Sequence, residues 1–200
     1  MPTDLIRRMM FIGLATSFGW AVYAQPAPTE QPPPNAVSVE QSATFDVTPV
    51  SGSLKETVQK EQQLVWLARR SPNERRFQLT DMSVALLRNQ ATGGVKITFA
   101  ADVSAFGWRP DGEPKLNVVV RTRGGASIYS WSFFVSVRCA DNNRPLPLVS
   151  QTVPDDIAAN IFNSAGSIEI SEYREPNSPI LTVRPCPSSE WISTRQILVN

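Results

Sequence analysis

Residues 127–139 read SIYSWSFFVSVRC. Tyr129, Trp131, Phe133, Val135, Val137 and Cys139 alternate with Ser130, Ser132, Phe134, Ser136 and Arg138. A strand sends successive side chains to opposite faces, so this period of two describes a long strand with one aromatic-rich buried face. Only Phe134 breaks the polar parity. A helix would scatter the same rings around its axis, so the stretch commits the chain to β structure.

The neighbouring segments repeat the pattern. In Val95–Val103 the odd positions are apolar and the even ones mostly polar or small, and Leu116, Val118 and Val120 mark a strand between the two. Turn chemistry separates them: Thr92-Gly93-Gly94, then Arg109-Pro110-Asp111-Gly112 as a type I turn, then Gly124-Gly125 as a tight hairpin. Residues 77–139 therefore read as a four-stranded antiparallel meander. A short strand is expected near 146–152, and others at 167–172, 179–185 and 191–199.

Two helices are expected. Ser53-Leu54-Lys55-Glu56 fits a capping box, the run to Arg70 has no Gly or Pro, and Arg69-Arg70 suit a helix C-terminus. These features predict a helix over 54–70. Pro154-Asp155-Asp156 begins a second, near 154–163, with proline at the first turn and two carboxylates on the positive end of the dipole. The fold class is mainly β, an antiparallel β-sandwich or curved sheet with two short helices.

The first 40 residues have another logic. Arg7 and Arg8 precede an uncharged apolar run from Met9 to Tyr23, and Val22-Tyr23-Ala24 supplies a small-residue cleavage signature. Residues 1–24 thus read as a signal peptide. A retained anchor is the competing reading, disfavoured because the run is shorter than the ~20 residues a spanning helix needs. Membrane association is expected only if that segment stays on the chain. Residues 25–40 read as a Pro-rich linker or tail, with five prolines in Gln25–Ala36, and 41–200 as the globular domain. The expected location is periplasmic or secreted.

In that compartment two cysteines at strand ends are most simply one disulfide, Cys139 to Cys186.

Composition closes several functional classes. The 200 residues carry 19 Lys+Arg, 18 Asp+Glu and no histidine. Losing residues 1–24 removes Asp4, Arg7 and Arg8, so the mature chain is formally neutral, with 17 groups of each sign. That balance argues against nucleic-acid binding. The absence of histidine removes the Ser-His-Asp triad and the HExxH zinc site, and with the cysteines paired no metal site or cofactor is expected. A phosphate-binding loop, GxGxxG, CxxC and a calcium loop are all missing, and no motif is specific enough to name a family.

Three candidate sites remain. Arg69, Arg70, Arg75 and Arg76 place four guanidinium groups within eight residues, able to bind a partner or an anion, or to form a solvated turn with Glu74. Trp108, in a turn-rich stretch, either faces a partner or plugs the end of the sheet. Glu169, Glu172 and Glu175 near Tyr173 could supply the paired carboxylates of a histidine-independent glycan hydrolase. The leading expectation is a non-catalytic exported protein whose β domain engages an envelope or extracellular protein or glycan, with oligomerisation left open. The hydrolase is the alternative.

Overall fold

The computed structural model describes residues 32–39, 42–57, 62–176 and 178–187. The signal-peptide reading of 1–24 and the strand expected at 191–199 lie outside them. In chain order the strands are β1 Val37–Val39, β2 Ala43–Ser51, β3 Leu54–Thr57, β4 Leu64–Ala68, β5 Ser71–Arg88 and β6 Val95–Ala105. There follow β7 Trp108–Pro110, β8 Lys115–Thr122, β9 Ser127–Phe134, β10 Arg144–Pro145 and β11 Val149–Val153. Helix α1 Asp155–Ser164, β12 Ala165–Glu172 and β13 Val183–Pro185 complete the described chain.

The main sheet is open and folded over on itself at β2. Its first half, Ala43–Asp46, pairs with β12, while Val47–Ser51 pairs with β3. One layer runs from there through β5 and β6 to β10 and β11. The other runs through β12 and β8 to β9. β5 takes β4 and then β3 along one edge and β6 along the other, and β1 adds to β4. The small β7–β13 pair stands apart.

Alternation creates the core between the layers. Phe45, Val47, Leu64, Trp66, Phe77, Leu79, Ile97, Phe99, Val118 and Ile168 are all buried. The Trp66 and Phe77 rings stack at 4.5 Å, and Phe99 of β6 meets Phe133 of β9 at 5.2 Å across the sandwich. Truncating a buried aromatic such as Trp66 to alanine typically costs about 3–5 kcal/mol.

Helix α1 covers one end. Ala158, Ile161 and Phe162 are buried, and Asp155 and Asp156 occupy the first turn, where carboxylates complement the dipole. Its last turn has no basic residue of its own. Lys55, brought over by β3, donates from Nζ to the Asn163 and Ala165 carbonyls at 3.3 and 3.1 Å and sits 5.3 Å from the Phe162 ring. Burial pulls its ammonium below the ordinary lysine value, and nearby Arg123 adds to the shift.

Five expectations are corrected. Residues 54–70 are not a helix: 54–57 and 64–68 are strands, and α1 is the one helix among the described residues. Leu64, Trp66 and Ala68 are buried and Val65 and Leu67 half-buried, a period of two that the hairpin with β5 rewards over the local capping signal. Residues 77–139 are not one meander. β5–β6 and β8–β9 are hairpins in different layers, and β12 rather than β6 pairs with β8. The aromatic strand ends at Phe134, not Cys139, and Arg109-Pro110 lie in β7 rather than a turn. The domain also starts before residue 41, because Ala36 and Val37 are fully buried and β1 pairs with β4. Proline at 32–34 ends just short of that strand, so no ladder donor is lost.

Other expectations stand. Gly125, at φ +85°, turns the β8–β9 hairpin in a conformation that favours glycine. The disulfide joins Cys139 to Cys186 with Cα atoms 5.6 Å apart. Beside it, the buried Asp141 carboxylate accepts from the Arg138 amide at 2.6 Å and from the Arg144 guanidinium at 2.9 Å. The hydrogen bond that Arg144 donates to Asp141 raises the Arg144 pKa further, against the opposing effect of burial. Among the described residues, no helix is long and apolar enough to cross a membrane.

Candidate functional site

The arginine cluster is dispersed by the β4–β5 turn that carries it. Arg76 is buried, paired with Glu74 at 2.7 Å, and its guanidinium lies 3.6 Å from the centre of the Trp108 ring. Trp108 is half-buried and packs against the core under the Arg76 guanidinium. Arg75 donates to Gln78 at 3.3 Å and Arg70 to the Pro32 carbonyl at 2.9 Å. Arg69 alone of the four lines a hollow, of about 260 Å³, with Ser38, Ser171, Glu172 and Arg174.

The three glutamates end up on different partners. Arg121 donates to Glu169 through both Nε and a terminal nitrogen, at 2.8 and 2.6 Å. Glu172 has a side chain only 10% exposed. It accepts from Trp66 Nε1 at 3.2 Å on one oxygen and from Arg174 Nε at 2.8 Å on the other. Glu175 meets Lys115 Nζ at 3.3 Å. Alternation along β12 separates Glu169 from Glu172, since Ile168 and Ile170 must face the core.

Where β12 ends, the Glu172–Arg174 and Glu175–Lys115 pairs border a second groove, of about 270 Å³. Lys115 begins β8, Phe134 ends β9, and Tyr173 and Arg174 continue from β12, so three adjacent strands bring one end each to the same place. The Lys115 ammonium lies 4.3 Å from the Tyr173 ring centre and 5.5 Å from that of Phe134. Phe134 is 60% exposed, a large apolar side chain left in water at the lip of the groove. Glu113, Glu172 and Glu175 line it together with Lys115 and Arg174, so charge is nearly balanced.

Sequence reading singled out neither Lys115 nor Arg174, and treated Phe134 as the residue that spoiled a pattern. That break was the available signal: a phenylalanine on the polar parity of an otherwise regular strand. Only strand pairing shows that it falls beside Lys115.

Fixed cations, carboxylates held by them and aromatic surface can hydrogen-bond and pack against a ligand. Glu172 and Glu175 are each held in an ion pair, with Arg174 and Lys115 respectively. Among the described residues, no three His, Cys, Asp or Glu side chains converge as a metal site. Comparison with protein-family models, curated proteins and solved structures finds no match.

Proposed function

We propose that this chain is an exported, non-catalytic binding protein, acting in the periplasm or outside the cell, that holds an envelope glycan in the groove between Lys115, Phe134, Tyr173 and Arg174. The observation that carries the reading is the pairing of exposed aromatic surface with charge-balanced hydrogen-bonding groups in one groove. A saccharide presents C–H faces that pack on rings and hydroxyls that both donate and accept. A polyanion would call for a surplus of cations, which the groove lacks. The formed disulfide and the leader-like N-terminus support export.

Calorimetric titration of the full-length protein with soluble cell-wall oligosaccharides tests it. Binding should weaken about tenfold or more in Phe134→Ala and Tyr173→Ala, the equivalent of ~1.4 kcal/mol or more. Absence of binding by the wild type to any oligosaccharide offered defeats the reading. The same groove carries the hydrolase alternative, because Glu113, Glu172 and Glu175 all line it. Release of new reducing ends, abolished in Glu175→Gln, decides for hydrolysis.

A further inference from the structure

We infer that the glycan held in the groove of Lys115, Phe134, Tyr173 and Arg174 carries a free primary amine, a hexosamine without its acyl group, whose ammonium meets the Glu113 carboxylate. This assignment rests on the glycan reading above and narrows it to one class of sugar. It begins with the charges. Among the described residues, three carboxylates (Glu113, Glu172 and Glu175) line the groove with two cations (Lys115 and Arg174), so one carboxylate is left over.

Pairing identifies the spare acid. Glu172 accepts from Trp66 and Arg174, and Glu175 meets Lys115. Asp111, two residues before Glu113, accepts from the Thr182 hydroxyl at 2.7 Å and pairs with Arg184 at 3.5 Å. Glu113 is exposed and has no hydrogen-bond or ion-pair partner among the described residues. Its backbone, by contrast, is fixed. The next residue, Pro114, is buried and its carbonyl accepts from the Val135 amide at 2.8 Å, while the Lys115 carbonyl accepts from the Tyr173 amide at 2.7 Å. The segment that bears Glu113 is thus tied to the chain leaving β9 and to the chain leaving β12, and it presents the carboxylate from a set position.

The rings of the groove favour the same ligand. The Lys115 ammonium already lies within reach of the Tyr173 and Phe134 ring faces, so this aromatic surface accepts a cation. An incoming ammonium brings three donors and one positive charge, which leaves the groove formally neutral and gives Glu113 a charge-assisted hydrogen bond. Acetylating the same nitrogen removes the charge and two of the donors, and the Glu113 charge stays uncompensated. A carboxylated sugar would add a fourth negative group to the three already present.

Calorimetric titration of the full-length protein with glucosamine oligomers and N-acetylglucosamine oligomers of equal length provides the test, at about pH 6, where such an amine is protonated. The wild type should bind the free-amine oligomer about fivefold more tightly, or better. Glu113→Gln keeps the shape and removes the charge, and it should bring the two affinities within about twofold of each other. Its melting temperature should match the wild type, because an exposed side chain without a partner contributes little to the fold. Equal binding of both oligomers by the wild type, tighter binding of the acetylated one, or a preference that survives in Glu113→Gln overturns the inference and leaves the glycan reading standing. Binding of neither oligomer also overturns it, and the glycan reading falls as well only if the cell-wall oligosaccharides fail to bind.

Discussion

Removing the Cys139–Cys186 bridge should cost about 4 kcal/mol. The cysteines are 47 residues apart, and they enclose β10, β11, α1, β12 and β13. In the chain-entropy model, closing a loop of that length lowers the entropy of the unfolded chain by ~14 cal/mol/K, which is ~4 kcal/mol at 25 °C. Packing adds little, because Cys186 is only half-buried although Cys139 is buried. For a domain of this size each kcal/mol moves the midpoint by ~2–4 °C, so the Cys139→Ala/Cys186→Ala chain should melt ~8–16 °C below the wild type. Urea unfolding and thermal circular dichroism measure both quantities. Reduced wild type isolates the covalent contribution, since reduction leaves both sulfur atoms in place, and it should track the double variant. A loss below ~1 kcal/mol in both would refute the loop-entropy reasoning and point to residual structure in the unfolded chain.

Gly166→Ala should destabilise by about 1–3 kcal/mol in denaturant unfolding, because the added Cβ would lie 2.7 Å from the Arg123 amide nitrogen and 2.9 Å from its Cα, backbone atoms that cannot swing aside. A neutral outcome would mean that the β12–β8 bulge yields freely. Asp141→Asn should cost about 1–3 kcal/mol by leaving the Arg144 guanidinium without its charge partner, with faster amide exchange at Arg138 and Ala105 as the local sign. Lys55→Met tests the helix end through pH. The Lys55 pKa is lowered on folding, so between that value and the ordinary one the unfolded chain holds more protons and wild-type stability rises with pH. The stability of wild type relative to Lys55→Met should therefore be greater at about pH 10 than at about pH 7. A constant difference would show that Lys55 titrates alike in both states.

The β class, the hairpin at Gly124-Gly125, helix α1 and the disulfide were all legible without coordinates. Each rests on local chemistry: side-chain period, a glycine at positive φ, proline with acids at a helix start, and a redox compartment inferred from the leader. The helix expected at 54–70 shows where local signals end. Ser53 and Glu56 match a capping box, but Trp66 gains more from stacking on Phe77 and bonding to Glu172 than a capping box of ~1 kcal/mol can offer. Layer order was equally out of reach, because β12 enters between β2 and β8 from more than 40 residues beyond β8. The groove follows from that insertion. It brings Tyr173 and Arg174 to Lys115 and Phe134, and it sets Glu172 beside Arg174 and Glu175 beside Lys115. Residue types and periods were properties of the chain alone; which of them met was decided by long-range strand pairing, whose energy depends on partners distant in sequence.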